Sequence, residues 1–313
     1  MTALLSNPVL VREMRSRMRG RRAAVLITFW LAFNGGVLAV AYLGAENIAE
    51  DRFGFAGFAN TVAISRGVYE WTLFAMLLLM VLIVPAQAAG AIAGERERQT
   101  LIPLQVTLLT PWRILLGKVL ASVVFLGLLV VVAMPLLAVG YLLGGISIAD
   151  VLAGAGAVLV SGLLLAALCI AVSTFVRRVQ AATVLSYALV LALTVGTFIA
   201  YGAYAVVDQA RGPDRTDPPD TLLLANPVAL VSDVVGDFSN TELPSPFDGV
   251  YRLINDQQAF DVAVDGGAFG PEVARRQDGM PFWIASLVML TLWAVAALGI
   301  AARRLDTPAE TER

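Results

Sequence analysis

Histidine is missing from this 313-residue chain, and cysteine occurs once. Without imidazole the usual general base and the commonest transition-metal ligand are gone, which sets aside Ser-His hydrolases, zinc proteases and haem proteins. The single Cys169 leaves neither a disulfide framework nor a cysteine metal site. Its position inside an apolar run marks it as a small buried residue. Charge is scarce too: 15% of residues are charged against 58% hydrophobic, with a mean hydropathy of +0.77. So little charge cannot cover a water-facing surface, and lipid is the expected solvent.

What is abundant is length in the apolar runs. A span needs about 20 apolar residues to cross the hydrocarbon core, and six stretches reach that length: 24–44, 69–93, 114–144, 151–176, 179–207 and 282–302. A helix satisfies its own backbone in lipid, and the alternation of barrel strands is absent. The expected fold is therefore an all-α integral membrane protein with six transmembrane helices, forming one transmembrane domain over 1–313.

Charge is distributed by side. The segment before the first span carries six arginines against Glu13, and with 94–118, Arg177–Arg178 and the tail it sums to +9. The alternate connections sum to −11, most of it in 208–280. An even number of spans puts both termini on one side, and the arginine excess makes that side cytoplasmic. Ala39-Val40-Ala41 has the form of a cleavage site, but the preceding region is long and the apolar run is span-length, so a retained first span is expected.

The ends of the spans carry local signals. Over 1–23, Asn7 and Pro8 suit a helix start. Leu10, Met14 and Met18 share one face there, while Arg12, Arg15, Arg19 and Arg22 share another, as in a helix lying along the inner interface. Residues 45–68 read as an outer connection near the headgroups. Pro85 should loosen the second span. The cytoplasmic loop 94–113 has charges at one end and an apolar middle, and Thr110-Pro111 suits the start of the next helix. The 208–280 connection is acidic and rich in Pro, Gly and Asp; an external subdomain and helices dipping into the outer leaflet both fit it.

Charged groups inside spans mark ion-coupled transport, and none stands in these interiors, Glu70 lying at an outer edge. The neutral polar residues Asn34, Gln87, Ser161, Ser173, Thr174, Ser186, Thr194, Thr197 and Tyr201 are expected to hydrogen-bond within or between helices. Gly117-Lys118 is not a phosphate cradle, since Trp112 stands where a P-loop needs its first glycine. Gly90/Gly94 and Gly140/Gly144 match the small-xxx-small helix contact, a pattern common by chance in such spans.

The opening NPVLVREMRSRMRGRRA, the loop GAIAGERERQTLIPLQVTLLTPWRILLGKVLAS and the long outer connection containing LLLANPVALVSD together resemble the membrane subunits of type-2 ABC transporters, in the six-span bacterial branch. The resemblance implies a subunit of the bacterial inner membrane that forms a translocation path, mostly for export, as a homo- or heterodimer with a second permease. Two separate ATP-binding subunits would bind ATP and Mg, while this chain binds no cofactor, metal or nucleic acid and is not an enzyme. It further implies that the loop residues Glu95, Arg96, Glu97, Arg98, Thr100 and Leu101 contact the ATPase. The interfacial helix with Arg12, Glu13, Arg15 and Arg19 would contact it as well, amid membrane lipids. Pro85 and Pro135 are candidate bending points. A non-transporting scaffold or sensor with this fold is the rival reading, and an intramembrane enzyme a more distant one.

Overall fold

The computed structural model describes residues 21–53, 58–99, 111–209, 220–236, 245–255 and 280–306. The interfacial helix expected before Arg21, with Arg12, Glu13, Arg15 and Arg19, lies outside these, as do Thr100 and Leu101. Among the described residues every regular element is helical. Six helices are long and apolar enough to cross a membrane: Ala23–Ile48, Thr61–Glu97, Pro111–Leu142, Ile148–Phe175, Val179–Tyr204 and Phe282–Leu305, here spans 1 to 6.

Spans 1 and 2 outrun their apolar segments. Helices Arg21–Phe53 and Phe58–Ala88 take up most of the connection expected over 45–68. No proline or glycine stands between Ala45 and Phe53, so nothing stops the helix where the hydrocarbon ends. At 1.5 Å per residue such a helix rises about 50 Å, well beyond a core about 30 Å thick. Ala45 and Ala63 pack together in this extension.

Span 4 is the axis of the bundle, packed against spans 2, 3, 5 and 6. Ser147 and Asp150 form a reciprocal capping box at its start, satisfying orphan amides of the first turn. Its small residues admit the large ones of span 2: a Cβ on Gly162 would sit 2.8 Å from Met80, and one on Gly154 would collide with Tyr69 and Leu73. Span 2 is also fastened to the outer turn between spans 3 and 4. The Ser65 hydroxyl donates to the Gly140 carbonyl at 2.6 Å and accepts from the Gly145 amide at 3.0 Å, and the Tyr69 hydroxyl donates to the Asp150 carbonyl at 2.6 Å. The two glycines of the Gly140/Gly144 pattern do different work: Gly140 packs against span 2, while Gly144 has φ +85° beyond the end of span 3 and turns the chain. Only glycine takes that conformation without strain.

Part of the 208–280 connection returns into the bundle. Asn226 caps helix Pro227–Val235, its Oδ1 accepting from the amides of Val228 and Ala229, with proline at the first helical position. Its Nδ2 donates to the Thr194 carbonyl at 2.9 Å and the Thr197 hydroxyl at 2.8 Å. Thr194 lies in a π-helical segment, Ala192–Gly196, that interrupts span 5. Fifteen residues beyond Val179, it stands about 22 Å from the inner end of its span, so the returning helix reaches membrane depth. Both ends also meet span 6: Ser286 donates to the Leu224 carbonyl just before the cap, and Asp233 near the far end accepts from the Trp283 amide. A second outer helix, Asp248–Asn255, packs against it. Helix Pro227–Val235 thus packs against spans 4, 5 and 6.

Candidate functional site

At the inner end of the bundle, three helix ends meet without caps of their own. Span 2 carries Pro85, which lacks the amide hydrogen of an ordinary residue. Its helix runs to Ala88, and Ala89, still helical at φ −60° and ψ −34° with its amide bonded to the Pro85 carbonyl at 3.0 Å, leads into helix Gly90–Glu97. The Tyr187 hydroxyl of span 5 donates to the Leu82 carbonyl beside this weak region.

The first four amides of any helix lack intrahelical partners, and Ala89, in the cap position of Gly90–Glu97, has no side chain to offer. Ser173 of span 4 takes that role. Its buried hydroxyl accepts from the amides of Ile92 at 3.0 Å and Ala93 at 2.9 Å. Span 4 in turn ends at Phe175 with open carbonyls, and Arg96 Nη1 donates to those of Thr174 at 3.2 Å and Val176 at 3.3 Å. A cation there also complements the helix dipole. Span 5 begins at Val179 with Arg178 supplying no side-chain cap, and Glu97 Oε2 accepts from the Val179 amide at 3.2 Å. The carboxylate stands where an anion is favoured. Each helix end is thus capped by a side chain from another element.

Packing follows the same junction. Gly90 and Gly94 lie against the Val179 side chain, and Ala89, Ala93 and Ala182 are buried together beside Val176 and Val179. Lys118, the single lysine of the chain, is buried near the inner end of span 3 with its Nζ 3.7 Å from Glu95 Oε1.

Of the loop residues expected to meet a partner, Glu95 and Arg96 are half-buried and turned into the protein, whereas Glu97 and Arg98 are exposed. Gln99 ends the helix with φ +58°, a left-handed conformation common at helix C-termini. The exposed edge continues onto Arg177 and Arg178 of the neighbouring turn and Gln180 in the first turn of span 5. The expectation of hydrogen bonding holds for Asn34, Ser173, Thr174, Thr194, Thr197 and Tyr201. What sequence reasoning missed is that Ser173 and the loop charges answer each other. The available signal was negative: neither Ala89 nor Arg178 is a good N-cap.

A groove of about 710 Å³ on the outer half of spans 1 and 2, lined among others by Gly36, Val40, Gly44 and Trp71, is apolar throughout its helical walls. At the outer mouth, Glu70 is buried, hydrogen-bonded to the Ser245 side chain and near Arg66 and Asp248. Among the described residues no group of three or more His, Cys, Asp or Glu is placed to hold a metal ion.

The family model described as ABC-2 family transporter protein matches residues 55–303, from the start of span 2 almost to the end of span 6. No curated protein matches the chain.

Proposed function

The chain belongs to the ABC-2 transporter family, and from that premise we propose that it is the permease subunit of an ATP-driven exporter in a bacterial inner membrane. It works as a dimer, homomeric or heteromeric, with two separate ATP-binding subunits that carry ATP and Mg. Both termini face the cytoplasm, as the arginine-rich inner connections favour. The observation that carries this reading is the inner helix Gly90–Glu97: it stands at the end of span 2, presents Glu97 and Arg98 to the exterior, and is bonded to spans 4 and 5. A soluble partner that moves this helix moves the bundle.

In this reading Arg98 and the outer side of Glu97 meet the partner, Thr100 and Leu101 extend the contact, and Glu95 and Arg96 give the helix its position. The N-terminal segment with Arg12, Glu13, Arg15 and Arg19 would contact the same partner from the inner interface. The buried charges Glu70 and Lys118 stand toward the ends of their spans, and the family assignment leaves the energy to be supplied by nucleotide.

Purification in mild detergent, followed by identification of bound subunits, tests the proposal. An ATP-binding subunit should accompany the chain, and Glu95→Ala with Arg96→Ala should reduce ATP hydrolysis by the complex without reducing membrane insertion. Hydrolysis unchanged in the double variant would remove the coupling assignment.

A further inference from the structure

Span 2 is a poor piston. Pro85 and the irregular hydrogen-bond ladder at Ala89 stand directly between the inner helix and the rest of the span, so a push on the helix meets its weakest-bonded section first. The lateral connections are stiffer. Five hydrogen bonds of 2.9 to 3.3 Å run sideways from Ile92, Ala93, Arg96 and Glu97 to Ser173, Thr174, Val176 and Val179. Val179 also fills the space left by Gly90 and Gly94. Of these groups Ser173 is special because its hydroxyl satisfies two amides at once in a buried site, where an unpaired amide is costly.

We propose that Ser173 is a positioning residue for energy coupling: it binds the inner helix to the end of span 4, with Arg96 and Glu97 completing the grip, so that motion imposed on the helix is delivered to the turn between spans 4 and 5 instead of along span 2. The inference rests on the coupling reading above. It adds a route and a residue, neither of which follows from the loop contacting a partner. The weaker bonding at Pro85 and Ala89 then has a use, because it lets the helix and the 176–179 turn move as one body while the outer part of span 2 stays fastened through Ser65 and Tyr69.

Hydrogen–deuterium exchange of the complete complex, free and trapped with ATP and vanadate, tests this. In the unmodified complex, trapping should change exchange in 90–99 and in 176–190 together. In Ser173→Ala the change should persist in 90–99 and be lost from 176–190, and Ser173→Thr, which keeps a hydroxyl, should restore it. Glu97→Ala, at an exposed position that cannot unfold the bundle, should weaken the response of 176–190 in the same direction. A full response of 176–190 in both Ser173→Ala and Glu97→Ala overturns the proposal while leaving the coupling reading intact. No response to nucleotide in either segment of the unmodified complex overturns both.

Discussion

The ammonium of Lys118 stands 3.7 Å from the carboxylate of Glu95, joining span 3 to the inner helix, with the lysine 2% exposed and the glutamate 21%. The asymmetry in exposure sets an asymmetry in consequence. Removing Glu95 takes an ion-pair partner from a buried cation, whereas removing Lys118 leaves a carboxylate that water still reaches. Taking the partner from a buried charge costs up to about 3 kcal/mol, while losing a solvent-accessible partner costs roughly 1 kcal/mol or less. Glu95→Ala should therefore lower the thermal midpoint in nanodiscs more than Lys118→Met does. The opposite order would mean that other contacts of Lys118 hold its charge.

Asn226 caps the returning outer helix with two hydrogen bonds and ties it to span 5 with two more, to Thr194 in the π-helical segment and to Thr197 just beyond it. Asn226→Ala should cost about 2 kcal/mol, a cap and an interhelical bond being worth roughly 1 kcal/mol each. The loss should be local. A cysteine at Ser232, a fully buried position, is expected to resist an impermeant thiol reagent in the parent protein and to react from outside in Asn226→Ala. Resistance in both would show that apolar packing alone holds the helix in place.

The glycines of the bundle divide by what surrounds them. A methyl group on Gly94 would meet Val179 at 3.7 Å, an ordinary contact, whereas one on Gly154 would meet Leu73 at 2.5 Å and the Tyr69 ring as well. Gly94→Ala should therefore express and melt like the parent, while Gly154→Ala should lose about 1–3 kcal/mol as overpacked cores do. Size-exclusion profiles and thermal midpoints of the two variants make the comparison.

Much of the architecture was legible in the sequence because a membrane imposes one dominant constraint, the length of an apolar run. All six spans follow from it, and the helix start at Pro111 follows from the Thr110-Pro111 pair. The extension of spans 1 and 2 was not legible: once a helix leaves the hydrocarbon its length depends on packing between neighbours, such as Ala45 on Ala63. Nor was the return of 220–236 into the bundle, since Asn226-Pro227 announces a helix start but not that Thr194 and Thr197 will receive it. At the inner junction the charges Glu95, Arg96 and Glu97 were visible as a cluster. Their partners were not, because the Thr174 and Val176 carbonyls and the Val179 amide are backbone groups that no side-chain pattern advertises.

The sidedness of the bundle is open to direct labelling. In a Cys169→Ala background, a cysteine at Ile148, an exposed position at the start of span 4, should react with an impermeant reagent added to intact cells. A cysteine at Gln180, exposed in the first turn of span 5, should react only after permeabilisation. The reverse pattern would invert the orientation and place the inner helix outside the cell.

The central claim is that an ATP-binding subunit engages the inner helix, and a photo-crosslinker attached at Gln99→Cys in the Cys169→Ala background reads it most directly. After irradiation of native membranes and mass spectrometry of the adducts, the account predicts a crosslink to an ATP-binding subunit that is lost when Arg98 and Glu97 are both replaced by alanine. Adducts confined to lipid or to this chain itself, with a co-purified ATPase present but untouched, would contradict it.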